Sequence, residues 1–200
     1  MRKRELILAS GSPRRKELLE QIGIEPVIVP SRIEEVVTSS EPEKVVLELS
    51  SQKAEDVMSR SPVGSVVLGA DTVVAIDGMI LGKPKSHEEA CGMIRRIQGR
   101  RHQVYTGVAI LWKEESGVQK KHFTVGTDVE VFPMTEEEIQ AYAALEEPMD
   151  KAGAYAIQGR FAAYIKGISG DYSNVVGLPV GSVYQELKII WESREDESHD

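Results

Sequence analysis

Apolar residues along this chain follow two rhythms, brief continuous runs and helical spacings, and the switches between them mark its elements. The run LILA over 6–9 predicts a strand. Ser12 and Pro13 then suit a helix start, serine as N-cap and proline in the first turn, where its missing N–H would be unpaired anyway. Leu18, Leu19 and Ile22 share one face of that helix, and Gly23 ends it. PVIVP over 26–30 predicts a brief strand between prolines, and the polar stretch 31–41 a loop. From Pro42 a long helix carries Val45, Val46, Leu49, Ala54, Val57 and Met58 on its apolar face. SVVLGADTVVAI over 65–76 predicts a strand that turns at Asp77-Gly78 into a partner over 79–81. A helix follows from Lys85 or Ser86 to about Gly99. Two strands over 104–112 and 123–132 predict a meander, and Thr135 with Glu138 forms a capping box for the next helix. A loop over 148–153, a strand over 162–168, a turn over 170–174 and a helix over 179–191 complete the pattern. Strands that alternate with helices early and pair as hairpins later predict an α/β fold, a mixed sheet with flanking helices. Neither a repeat nor a low-complexity linker divides the chain, so residues 1–191 read as a single domain.

Charge changes this picture at one end. The net charge is -8, and the last nine residues, ESREDESHD, hold five acids and one arginine. Residues 192–200 therefore read as a solvated acidic tail without apolar periodicity. An acidic chain without a basic stripe argues against an extended nucleic-acid surface and a stable nucleic-acid partner. Cys91 is the single cysteine, so no internal disulfide can form and a reducing compartment fits. The apolar run after the basic N-terminus is too short for a secretory core, and no stretch approaches a membrane span. A cytoplasmic protein without a membrane partner is the expectation.

Several short segments carry candidate chemistry. In ASGSPRR, over 9–15, a small-residue loop opens a helix that bears Arg14 and Arg15 in its first turn, where the macrodipole makes cations mildly unfavourable. A bound anion would offset that cost, and the hydroxyls of Ser10 and Ser12 with free backbone N–H groups suit phosphate. Capping alone also explains the serine and proline. Asp71 in VVLGADTVVAI interrupts an apolar run with a carboxylate, costly to bury unless paired or on a metal. Lys83, between glycine and proline in LGKP, is rigidly presented, although a surface turn accounts for it as well. Taken singly, Lys53 on a polar helix face, Glu34 and Glu35 in the loop and Gln158 in AIQG have ordinary structural explanations. The four histidines, His87, His102, His122 and His199, show no metal-ligand spacing. Together, four cations, two carboxylates and an amide able to read a base edge suit a polyphosphate, a divalent metal and a nucleobase.

LILASGSPRRKELL, IEE, QKA, LGADTVV, LGKP, GRRHQVYTGV, AGAYAIQG and GDYSNVVGLPV follow one another along nearly the whole chain, and in this order they resemble the Maf family of nucleotide pyrophosphatases. That resemblance implies a mixed α/β fold related to the inosine-triphosphate pyrophosphatase architecture, with two lobes around a cleft. It implies conversion of a nucleoside triphosphate to monophosphate and pyrophosphate, house-cleaning of nucleotide pools, a divalent cation such as Mg2+ or Mn2+, a link to inhibition of septum formation and cell division, and a possible homodimer. Carried over residue by residue, Ser10, Arg14 and Arg15 match the phosphate-facing loop, Glu35 the acid of the family's Asp/Glu-Glu step, Lys53 and Lys83 the motif lysines, and Asp71 the general base; the divalent cation is expected on Glu35, Asp71 or both. Arg14, Thr72 and Gln158 match the specificity positions of the pyrimidine group, which acts on dTTP and UTP; the 7-methylguanosine-triphosphate group has tryptophan, glutamine and glutamate there. The competing expectations are a nucleotide-binding regulator of division without turnover and a pyrophosphatase for a modified or purine nucleotide.

Overall fold

In a computed structural model, residues 5–196 are described. The elements in chain order are β1 (Leu6–Leu8), α1 (Pro13–Gln21), β2 (Val27–Ile28), α2 (Pro42–Ser59), β3 (Val66–Ile76), β4 (Met79–Leu81), α3 (His87–Ile97), β5 (Arg101–Glu114), β6 (Gly117–Val131), α4 (Glu136–Ala143), β7 (Ile165–Ser169), α5 (Tyr172–Val176) and α6 (Val180–Asp196). The strands form one sheet in the order β2-β1-β3-β5-β6-β7, with β4 also paired to β3. Pairing is parallel at β1–β2 and β1–β3 and antiparallel elsewhere, so the sheet is mixed as the alternation of elements predicts.

Period-two alternation along β3 divides the core. Val66, Leu68, Ala70, Val74 and Ile76 face the larger cluster, which α1, α3, α4 and α6 cover with residues such as Leu19, Ile94, Tyr142 and Leu187. Val67 and Val73 face the other way, against α2. Every residue of the predicted apolar face of α2 is buried. The Asp77-Gly78 turn forms as expected, with φ of 52° and 74° at its two residues, the left-handed pair that a two-residue hairpin needs. The capping box at Thr135 and Glu138 is also present.

Several local readings change; the loop over 148–153, for one, is largely 3-10 helix, at Glu147–Asp150 and Ala152–Ala154. β5 and β6 run further than predicted and meet at Glu115-Ser116, because each residue outside the apolar run still finds a ladder partner on its neighbour. Residues 160–164 form a 3-10 helix around the buried Phe161, and the strand begins only at Ile165. Asp171, read as part of a turn, caps a short helix by accepting from Ser173 and Asn174 N–H. The final helix continues past Trp191 to Asp196, so the first residues of the acidic stretch are helical, and the expectation for residues 197–200 lies outside the described residues. Among the described residues, no helix is long and apolar enough to cross a membrane.

Candidate active site

Where the sheet opens, the site begins. β1 pairs with β3 only through Leu68, and β4 rejoins β3 only at Val74, so residues 69–73 have no strand neighbour on that edge. Asp71 and Thr72 occupy this gap, on opposite faces of the strand. A cleft of about 470 Å³ lies against it, within the size range of small-ligand sites. Ser10, Arg14, Arg15, Glu35, Lys53, Asp71, Thr72, Lys83 and Gln158, from six separate chain segments, all line it.

Two glycines let α2 reach this edge. A Cβ on Gly69 would lie 2.3 Å from Ser50 O, and one on Gly107 would lie 2.2 Å from Val46 O. Gly107 is the cross-strand partner of Asp71. Bare backbone at both positions lets α2 lie close on the sheet, which sets Lys53 over Asp71. The Lys53 ammonium forms a hydrogen-bonded ion pair with Asp71 and a second ion pair, 3.0 Å, with Glu35 Oε1. The side chains of Lys53 and Asp71 are each 15% exposed, whereas Glu35 is 47% exposed at the cleft rim. The ammonium thus offsets the desolvation of a mid-strand carboxylate.

The segment that carries Glu35 is held by an adjacent stripe of the same helix. Gln52 accepts from Val36 N–H at 3.0 Å and donates to Val36 C=O at 2.6 Å. One turn to either side, Glu48 accepts from Thr38 N–H and Asp56 from Arg32 N–H. These backbone N–H bonds hold both carboxylates below their usual pKa, with the Thr38 hydroxyl acting first on Glu48. The predicted loop is therefore strapped along α2 rather than free.

The adjacent arginines have different surroundings. Arg15 turns inward: Nε donates to Gly177 O at 2.9 Å, one terminal nitrogen to Ser10 Oγ at 3.1 Å and the other to Thr72 Oγ1 at 3.2 Å. Burial pulls its pKa below the ordinary arginine value; Asp71 opposes that shift and Arg14 adds to it. An arginine still carries its charge there. Arg14 stands at the entrance, 3.8 Å from Asp150. Ser12 does not cap α1 with its side chain as expected; its N–H instead donates to Ser10 Oγ, which leaves the first-turn N–H groups of α1 without a side-chain acceptor. Neither the Lys83 ammonium nor the Gln158 carboxamide bonds to any described residue.

The support beneath these residues does not stand out in the sequence. Thr72 Oγ1 lies 2.9 Å from Thr106 Oγ1, which donates to Asn174 O, and the Asn174 amide donates to Val104 O and Thr127 Oγ1. Thr106 and Asn174 are fully buried. The polar letters of YTGV and GDYSN were the available signal, since a buried threonine or asparagine must find partners.

A cleft with cations, two carboxylates and an unpaired amide along one edge of a mixed α/β sheet defines a candidate polyphosphate-binding enzyme site. The family described as Maf-like protein matches residues 5–190, and the chain belongs to that family. It is 52% identical, over 92% of its own length and 96% of the relative, to a protein of Agathobacter rectalis named dTTP/UTP pyrophosphatase. A protein of Lachnoclostridium phytofermentans with the same name is 47% identical over 92% and 94% of the two chains. Among solved structures, the Staphylococcus aureus Ham1 protein is similar to 64% of this chain and 71% of its own, at 14% identity and a TM-score of 0.43.

Proposed function

We propose that this protein hydrolyses dTTP and UTP to the nucleoside monophosphate and pyrophosphate, within the cytoplasmic nucleotide pool. The observation that carries the reading is the convergence of Ser10, Arg14, Arg15, Glu35, Lys53, Asp71, Lys83 and Gln158 on one cleft. The names of the relatives support the same substrates.

In this reading the triphosphate lies along the N-terminus of α1, where uncapped N–H groups and the helix dipole favour an anion. Arg14, Lys53 and Lys83 meet its charge, and Arg15 holds the Ser10 loop, Thr72 and the Gly177 carbonyl in register beneath it. Asp71 takes the proton from a water that attacks the α-phosphorus. The bond from that phosphorus to the bridging oxygen breaks, and pyrophosphate leaves. Thr72, on the face of the strand opposite Asp71, meets Arg15, and Gln158 meets the base with one donor and one acceptor.

The donor set suits a hard divalent cation. Among the described residues, no cluster of three or more histidine, cysteine or acidic ligands exists. Mg2+ commonly uses one or two carboxylates together with substrate phosphate oxygens, and Asp71 and Glu35 offer two such groups at the cleft. A cation held there would neutralise charge that develops on the phosphate oxygens. Release of pyrophosphate from dTTP, UTP, CTP and GTP in the presence of Mg2+ tests the assignment. Pyrophosphate and monophosphate from dTTP and UTP are expected. Binding without turnover, release of orthophosphate instead, or faster turnover of GTP would overturn it.

A further inference from the structure

At the wall of the cleft that bears Gln158, three hydrogen bonds close on themselves. The Tyr142 hydroxyl donates to Glu147 Oε1 at 2.7 Å and accepts from Ala156 N–H at 3.3 Å. The other oxygen of Glu147 accepts from Arg160 N–H at 3.1 Å. Between these two anchored N–H groups lies a tight turn over 156–159, closed by Gly159 N–H to Ala156 O at 3.0 Å, with Gln158 at its third position. Gly159 leaves room for the clasp, because a Cβ there would lie 2.1 Å from Glu147 Oε2. Beneath the turn, the Tyr142 ring packs on Phe161 with centroids 5.0 Å apart, and Phe161 on Tyr155 at 4.8 Å. Burial, and then the Glu147 carboxylate, push the Tyr142 pKa upward, so the phenol keeps the proton that it donates. Glu147 thus takes up two N–H or O–H donors without touching the cations of the phosphate site.

Base chemistry says why such a clasp matters. Uracil and thymine present an N–H next to a C=O, which a carboxamide complements with one acceptor and one donor. Guanine presents the same pair on its six-membered ring, set further from the sugar by the fused ring. Hydrogen-bonding pattern alone therefore does not separate UTP from GTP at Gln158. The depth at which the carboxamide stands in the cleft does. We propose that Tyr142 and Glu147 are positioning residues that select pyrimidine over purine nucleotides by fixing the turn that carries Gln158. This rests on the reading of Gln158 as the base-contacting residue.

The test compares kcat and KM for UTP and GTP in wild type, Tyr142→Phe, Glu147→Ala, Gln158→Ala and the Glu147→Ala/Gln158→Ala double variant. Tyr142→Phe keeps the ring and its packing, so it tests the clasp even if Glu147→Ala folds poorly. Both clasp variants are expected to lower the UTP-to-GTP ratio of kcat/KM about tenfold, through KM for UTP, with kcat for UTP within about twofold. In the Gln158→Ala background, Glu147→Ala is expected to change the ratio no further. A lowered ratio in Gln158→Ala with an unchanged ratio in both clasp variants overturns the proposal. So does an equal loss for both nucleotides, or an effect of Glu147→Ala that persists without Gln158. Wild type that releases no pyrophosphate, or an unchanged ratio in Gln158→Ala, would instead overturn the reading of the site itself, and this proposal with it.

Discussion

Replacing Gly69 by alanine adds one methyl group at a place where α2 leaves no room for it. The new Cβ would lie 2.3 Å from Ser50 O and 2.9 Å from both the Cβ and the N of Ala54, and none of these is the end of a flexible side chain. Restoring ordinary contact requires α2 and β3 to separate by about 1 Å. Overpacking of this kind costs about 1–3 kcal/mol, which for a domain of this size lowers Tm by about 2–12 °C. Lys53 sits beside Ala54 on the displaced turn, so its ammonium withdraws from Asp71 by a comparable distance. Misplacement by about 1 Å can reduce a rate about 100-fold. Thermal melting and steady-state pyrophosphate release from dTTP measure the two effects on one preparation. Both are expected to fall, with kcat falling far more than the modest loss of Tm can explain at 25 °C. A Gly69→Ala protein with wild-type Tm and kcat would refute the argument that close backbone approach of α2 sets the Lys53–Asp71 geometry.

Other changes probe separate parts of the structure. Asp71→Asn retains an acceptor for Lys53 and should keep the fold while turnover drops about 10²–10⁴-fold, the usual cost of losing a general base; near-normal turnover would remove that role from Asp71. Arg15→Lys offers one nitrogen to acceptors on Gly177, Ser10 and Thr72 that lie in three directions. It should lower Tm by several degrees, at about 2–4 °C per kcal/mol, and an unchanged melting curve would show that the guanidinium does not tie these segments together. His102 is fully buried, with Nε2 2.8 Å from Tyr155 Oη, and burial lowers its pKa from 6.5 to about 4. Between those two values the unfolded chain binds a proton that the folded chain refuses, so stability is complete above pH 6.5 and falls as pH is lowered towards 4, by about 3 kcal/mol in all. Urea unfolding between pH 7 and 4.5 should show this slope in wild type and a flatter one in His102→Phe; equal slopes would contradict it.

Much of the architecture was legible in local pattern. The apolar face of α2, the Asp77-Gly78 hairpin and the Thr135 capping box follow from side-chain spacing and backbone preference, which act over a few residues. The 3-10 helix around Phe161 and the helix after Asp171 escape local pattern because Phe161 packs against Tyr142 and Asp171 bonds Thr127, partners remote in sequence. The same division runs through the site. Arg14, Arg15 and Asp71 stand out in the sequence because each is an awkward residue for its local context, cations at a helix start and a carboxylate in an apolar strand.

The sequence by itself determined which residue types were on offer: a small-residue loop before a helix, one acid in a buried strand, lysines and an amide in short ordered motifs. Only the tertiary structure decided what each one meets. Gly69 and Gly107 bring α2 onto the sheet and Lys53 onto Asp71; the strapped loop brings Glu35 to the same ammonium; and Arg15 is turned inward by Gly177, far along the chain. Local preferences extend over a turn or two of backbone, whereas the energy of a charge in a cleft depends on the nearest opposite charge in space, whatever its distance along the chain.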